Sequence, residues 1–366
     1  MIKFSEPVID NKEIISVTKT LKSGWISSQG STVETFEKNF SKIHNNIHSL
    51  STSNCTTALH LALKSLDIGK GDEVICTNLT FIAPANMIEL TGAKLVLVDI
   101  YKKNFSMNIE DLKKKITKKT KAILVVHAFG YPANMTEIKK IADKHKLKII
   151  EDVAEAIGAK VNKKLCGTMG DVACFSFFAN KIITTGEGGM LLIKNKKIFK
   201  KAKLLRDHGM TPEKKYYHKV LGFNYRMTSM QAAIGIEQLK KLNSILKKKK
   251  QIKSIYKKNL LQKNFTTFPL NENKNSVEWF VTIVLKNKNL RKRFINFMKL
   301  KKIECRPMIF PVSFASHFKS KFISKNFPKS YDISLRSVHL PSSINLTSKS
   351  LKYICKTINC WDSNLR

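Results

Sequence analysis

Short apolar runs alternate with helix-patterned stretches along the first half of this 366-residue chain, and that alternation restricts the fold more than any other feature. Strand-like runs lie at 48–52, 72–78, 93–100, 120–129, 146–153, 171–178 and 188–194. Helical spacing marks VETFEKNFSKIH (33–44), ALHLALKSL, APANMIELTG and TEIKKIADKHK between or before them. Such alternation predicts α/β architecture with a mainly parallel sheet. A long lysine-rich helix from about Ser229 to about Leu261 leads to a second region. That region reads as a β-α-β unit, WFVTIVL (279–285), RKRFINFMKL and IECRPMIF, closed by the helix SKSLKYICKTI. The expected division is a large domain over 1–245 and a small carboxyl-terminal domain over 246–366, and a hydrophobic content of 43% is enough to bury a large core.

A formal net charge of +39 ordinarily suggests nucleic acid or an anionic membrane as partner. Only 7 of the 66 basic residues are arginine, however, and lysine is spread over the whole length. Nucleic-acid readers lean on the planar fork of arginine and concentrate it on a few surfaces. Lysine-rich solvated faces are therefore the expectation, with no nucleic acid and no membrane as partner; the positive field can still attract an anionic small substrate. The seven cysteines are scattered without a CxxC pair, no apolar leader opens the chain and no run of ~20 apolar residues follows, so a cytoplasmic protein without a metal is expected.

Open α/β sheets bind ligands at the carboxyl ends of their strands, and several strand ends here carry polar residues. In SNCTT (53–57) a strand turns into a helix, where backbone amides and the hydroxyls of Thr56 and Thr57 can hold a phosphate, or simply cap the helix. Asp152 follows the apolar KLKII beside Glu151, and a carboxylate buried there needs a cation, a helix cap or a salt bridge. A protonated pyridine nitrogen is one such cation. Lys181 sits in SFFANKIITTGEGGM (176–190), after another apolar strand and before glycines that let the backbone turn tightly around a bulky group. A desolvated lysine there can form a Schiff base; a surface loop lysine is the plainer alternative. The order in which phosphate turn, aromatic, strand-end aspartate and lysine with glycine turn succeed one another favours the first.

These stretches resemble the pyridoxal-phosphate-dependent sugar aminotransferases of the DegT/DnrJ/EryC1/StrS group. The resemblance is dense from about Lys22 to about Leu239, in GWISSQG (24–30), SNCTTALHLAL, GDEVICTNLTFIAPAN, VVHAFGYPANM, IIEDVAEAIGA, GDVACFSFFANKIITTGEGGM and RDHGM…GFNYRMTSMQAAIGIEQL. It implies fold type I, the aspartate-aminotransferase-like architecture, and pyridoxal 5'-phosphate as cofactor. By the same resemblance Lys181 carries the cofactor in imine linkage, Asp152 pairs with the pyridine nitrogen and Phe81 stacks on the ring. Backbone amides at Cys55 and Thr56 with the Ser176 hydroxyl hold the phosphate, Glu155 lies near the cofactor face, and Asn224 reaches the phosphate from the neighbouring subunit of a homodimer. His208, Arg306, Trp25 and Ser28 are the implied substrate contacts. L-glutamate is the implied amino donor and a nucleotide-linked 4-keto-6-deoxy sugar the acceptor. The RDHGMTPEKKYYH and GFNYRM stretches are similar to members acting on a GDP-linked sugar, dTDP- and UDP-linked sugars being the alternative. Lysine at 181, where related dehydratases carry histidine, implies transamination. Two positions depart from the pattern: Cys55 stands where glycine or alanine is usual, and after Pro311 come Val312, Ser313 and Phe314 where relatives have a histidine.

Overall fold

The computed structural model describes residues 1–211, 213–214, 216–268 and 275–365. It opens with helices α1 (Asn11–Lys22) and α2 (Ser31–Ile43), then β1 (His48–Thr52), α3 (Cys55–Ser65), β2 (Glu73–Thr77), α4 (Ile82–Leu90) and β3 (Lys94–Val98). There follow α5 (Ile109–Lys115), β4 (Thr120–Val126), α6 (Met135–His145), β5 (Lys148–Asp152), β6 (Val172–Ser176), β7 (Gly189–Ile193) and α7 (Lys196–Arg206). Strands β1 to β7 form one sheet in the order β1-β7-β6-β5-β4-β2-β3. Neighbours from β6 across to β3 run parallel, and β7 is antiparallel to both β6 and β1. The expected fold class, α/β with a mainly parallel sheet, is what forms.

Both faces of the sheet are covered, which is why its strands read as continuous apolar runs and not as alternating ones. On one face Ile75, Ile123 and Ile149 pack with Ile138 and Ile141 of α6 and Leu112 of α5. On the other, Val74, Leu124 and Ile150 share a core with Leu59 and Leu63 of α3 and Phe36 and Phe40 of α2. Strands β2, β3, β4 and β5 therefore divide their residues between two cores by the two-residue period of the pleat, whereas the buried apolar residues of β6 and β7 belong to the second of these.

The 31-residue helix α8 (Ser229–Asn259) starts with a complete capping box, Thr228 with Gln231, and runs from the large sheet to a second core. Its residues Ala232, Leu242 and Ile245 belong to the first core, Ile252 and Tyr256 to the second. The second core lies against four strands, β8 (Phe265–Phe268), β9 (Val281–Leu285), β10 (Arg306–Pro307) and β11 (Ser337–Leu340), together with α9 (Asn289–Leu300), α10 (Pro328–Arg336) and α11 (Ser348–Ser363).

The β-α-β succession forms as β9, α9 and β10, but the unit is split, with β11 between two strands that run parallel to each other. The sheet order is β8-β9-β11-β10 and all its pairings are antiparallel, so β9 pairs with β8 and β11 and not with the strand after α9. IECRPMIF contributes only the two residues Arg306–Pro307 as strand. Proline at 307 supplies no ladder N–H, which suits an edge strand of minimal length.

The loop after β4 meets the segment before β9 at Gly130, where Val277 donates its N–H to the Gly130 carbonyl at 3.0 Å. Gly130 has φ +91°, and a Cβ there would lie 1.9 Å from the Val277 carbonyl oxygen. Alanine at 130 is therefore strained in its backbone and clashes with a backbone atom that cannot rotate away. Gly130→Ala is expected to destabilise the protein by about 3 kcal/mol or more. A urea midpoint within experimental error of wild type would contradict this account.

Candidate active site

Because β2, β4, β5 and β6 are parallel and β1 points the same way, their carboxyl ends share one edge of the sheet. Thr52, Gly189 and Ser176 stand in register across β1, β7 and β6. The helix α3 starts just beyond, with Asn54 as N-cap accepting the Thr57 N–H at 2.9 Å. That leaves the amides of Cys55 and Thr56 without an intrahelical partner at the positive end of the helix dipole. A Cβ on Gly189 would approach the Asn54 carbonyl oxygen to 2.5 Å, so glycine is what allows the start of β7 and the turn into α3 to lie so close. The cradle is suited to a phosphate. Ser176 flanks it, its hydroxyl accepting the Phe178 N–H at 3.3 Å.

Two adjacent carboxylates end β5 and point to opposite faces. Glu151, fully buried, accepts hydrogen bonds from the amides of Gly167 and Met169 at 2.8 Å each and from Gly170, and from His127 Nε2 at 3.0 Å. The other ring nitrogen of His127 accepts the Ala133 N–H at 3.1 Å, which sets the tautomer with the proton on Nε2. Despite burial, His127 and the surrounding amides hold the Glu151 carboxyl below the usual carboxylate range. Asp152 is only 6% exposed and receives the Ala154 N–H at 2.9 Å. Burial pushes its carboxyl up to about 6, and the nearby Glu155 adds to this. One carboxylate is thus satisfied within the protein; the other lacks a strong cationic partner among the described residues.

Lys181 reaches back to the same edge. Its Nζ lies 3.6 Å from Glu155 Oε1, both side chains 13% exposed, and 3.9 Å from the centroid of the Trp279 ring. Glu155 also accepts the Phe129 N–H at 2.6 Å, which fixes its carboxylate. The turn behind Lys181 closes on itself through Thr184 and Thr185, and Gly186 takes φ +82°. Burial, with the Asp152 and Glu155 carboxylates near, pushes the Cys55 thiol well above its ordinary range. Cys55, Asp152, Glu155 and Lys181 therefore share one electrostatic environment, and Phe81, 60% exposed at the N-cap of α4, offers an open aromatic face at the end of β2. A buried carboxylate in want of a cation, a lysine, an exposed ring and a helix-end anion cradle fit a phosphorylated heteroaromatic aldehyde.

The remaining predicted residues lie elsewhere or are engaged. Asn224 is exposed, its side-chain oxygen accepting Arg226 Nε at 3.1 Å, on a segment whose Tyr225 carbonyl accepts the Ser53 N–H at 2.9 Å. His208, exposed with φ +56°, lies 3.4 Å from Arg226 Nη2. Arg306 is bound to Glu304 at 3.0 Å and lies 4.9 Å over the Phe4 ring, so it ties the amino terminus to the small sheet. Trp25, 60% exposed, and Ser28 belong to a loop held through Ser27, whose carbonyl accepts the Ser229 N–H at 2.7 Å. Ser313, at the site of the missing histidine, is buried and donates its N–H to Asn78 Oδ1 at 2.9 Å. Trp279 and the Glu151–His127 pair were not anticipated. Trp279 shows in the sequence only as the first residue of the apolar run WFVTIVL, and the histidine in VVHAF carries no local signal of its partner.

The family model described as the DegT/DnrJ/EryC1/StrS aminotransferase family matches residues 7–359, and the chain belongs to that family. It is a pyridoxal-phosphate-dependent sugar aminotransferase of the aspartate-aminotransferase-like fold. The chain is 39% identical over 356 residues to the GDP-perosamine synthase of Escherichia coli O157:H7, covering 97% of this chain and 96% of that protein. It is 37% identical over 365 residues to the GDP-perosamine synthase of Vibrio cholerae, covering 98% of each. Among solved structures it is similar to Helicobacter pylori PseC, an aminotransferase involved in pseudoaminic acid biosynthesis, with a TM-score of 0.94, 26% identity and complete coverage of both chains.

The raised Asp152 gives a pH signature in the cofactor-free protein. A carboxyl whose folded value is about 6 binds more protons folded than unfolded between pH 4 and 6, so its contribution to stability falls as pH rises through that window. Relative to wild type, cofactor-free Asp152→Asn is expected to gain up to about 3 kcal/mol between pH 4 and pH 7 in urea unfolding. Parallel stability curves for the two proteins would contradict the assignment.

Proposed function

We propose that this enzyme transfers the amino group of L-glutamate to GDP-4-keto-6-deoxy-D-mannose, giving GDP-perosamine and 2-oxoglutarate. The observation that carries the substrate is the 37–40% identity to three GDP-perosamine synthases over 85–98% of this chain. Lipopolysaccharide O-antigen in a bacterial cytoplasm is the setting that goes with this product.

When bound, the cofactor supplies an electron sink for the carbon that loses a proton. The chain's residues do the rest. Asp152 is the counter-charge that keeps the pyridine nitrogen protonated, and that pairing relieves its own burial. The amides of Cys55 and Thr56 and the Ser176 hydroxyl hold the phosphate, and Phe81 covers the ring. Lys181 carries the cofactor and, once released, takes and returns the proton at the donor carbon and then at the sugar carbon. Glu155, fixed by the Phe129 amide, orients the Lys181 ammonium from 3.6 Å. Trp25 and Ser28, with His208, are contacts for the nucleotide sugar, and Arg306 is the weakest of the substrate candidates because Glu304 occupies its guanidinium.

The active unit is a homodimer in this reading. Ile14, Ile15 and Leu221 are each more than half exposed, apolar side chains that a second copy would cover. Asn224 then completes the partner's phosphate site.

Supplied with L-glutamate and a panel of GDP-, dTDP- and UDP-linked 4-keto-6-deoxy sugars, the protein is expected to aminate the GDP-linked sugar, read as the product mass. Turnover of a dTDP- or UDP-linked sugar alone would replace the substrate assignment. Lys181→Ala is expected to lose the visible absorbance of lysine-bound cofactor and at least about 10³-fold in turnover. A variant that keeps both would exclude Lys181. Mixing inactive Lys181→Ala and Asn224→Ala subunits is expected to restore activity in hybrid dimers; no restoration would exclude the shared site.

A further inference from the structure

Lys249 lies in the middle of α8, is 4% exposed, and pairs with no carboxylate among the described residues. Its Nζ donates to the carbonyl of Trp279 at 2.9 Å and to the carbonyl of Ser342 at 2.7 Å. Burial pulls its ammonium down to about 7, so the position is costly and solvation does not account for a lysine there. What it does is hold, on α8, two backbone carbonyls from segments distant in sequence that adjoin at the paired ends of β9 and β11.

The residue it holds touches the reacting amine. Trp279 is 5% exposed, its indole N–H donates to the Asn180 carbonyl at 2.7 Å, and its ring face lies 3.9 Å from Lys181 Nζ. The backbone of Trp279 is thus fixed from α8, and its ring is fixed on the residue preceding Lys181. An ammonium over an indole face is an attractive contact, strongest where water is excluded. Glu155 stands on the same ammonium at 3.6 Å.

We propose that Lys249 and Trp279 are positioning residues for Lys181: Lys249 fixes the Trp279 backbone, and the Trp279 ring with Glu155 holds Lys181 Nζ at the strand-end edge where the cofactor is received. This rests on Lys181 being the cofactor-bearing lysine. α8 also meets the turn after Lys181, through Gln238 accepting the Thr184 N–H at 3.3 Å and Gln231 donating to the Glu187 carbonyl at 2.7 Å, whereas the effect of Lys249 on Lys181 passes through Trp279.

The test uses cofactor-free protein, to which pyridoxal 5'-phosphate is returned while the visible absorbance of lysine-bound cofactor is followed. Trp279→Leu is expected to slow attachment about ten-fold, and Trp279→Phe, which keeps an aromatic face without the N–H, about three-fold. Lys249→Met is expected to copy Trp279→Leu, Lys249→Arg to recover most of the rate, and Lys249→Met with Trp279→Leu to be no worse than either alone. In turnover the single variants are expected to lower kcat and leave KM for L-glutamate within about two-fold, because the donor's own contacts are untouched. Wild-type attachment rates in Trp279→Leu would overturn the proposal. If Lys249→Met does not fold, Lys249→Gln and Lys249→Arg carry the test, and equal rates for these two would overturn the part played by Lys249. Borohydride reduction of the wild type followed by mass mapping of the labelled peptide separates the premise from the inference: a label on a lysine other than Lys181 removes the premise itself.

Discussion

Burying a carboxylate costs several kcal/mol unless something charged or many donors meet it, and this fold buries two in succession at the end of its central strand. Glu151 is met from within, by three amides of the 167–170 loop and by His127. That knot anchors the loop before β6 and the turn after β4, and so aligns the strand ends from which the site is built. Asp152, one residue on and on the opposite face, has one backbone donor among the described residues, the Ala154 amide. The first carboxylate makes the frame rigid; the second makes it incomplete without a cation. The pairing lets one short segment, IIEDV, do both.

Around that edge the same principle recurs: backbone groups and aromatic faces, more than opposing ions, set the positions. The helix-end cradle at Cys55 and Thr56 depends on the absence of a side chain at Gly189, which no charge would replace. Glu155 is held by the Phe129 amide, and Phe129 has φ +55°, an unusual backbone state for an aromatic residue that turns its N–H toward the site. The chain's large positive charge takes little part here. Most lysines are on solvated surfaces, and the two that matter most, Lys181 and Lys249, are among the few withdrawn from water.

Much of this was legible in sequence because it is local. A strand end followed by SNCTT, a lysine before a glycine turn and an aspartate after KLKII each show their chemistry within a few residues. The seven strands of the large sheet were legible for a related reason, since burial on both faces leaves continuous apolar runs. The small sheet was less so. Its strands β8 and β11 are only four residues long, β11 pairs with segments far back in the chain, and the two-residue β10 is too brief for any period to register.

Residue types in order, then, determined the fold class and the chemistry of individual positions, because helix and strand periods and the pairing needs of a buried charge act over a few neighbours. Tertiary structure decided the rest. It put Trp279, about a hundred residues downstream, on Lys181, and it gave Arg306 to Glu304. It filled the place of the missing histidine with a buried serine bonded to Asn78. These depend on which distant segments share a cavity, and that is set by the packing of α8 and the two sheets, where no local pattern can report it.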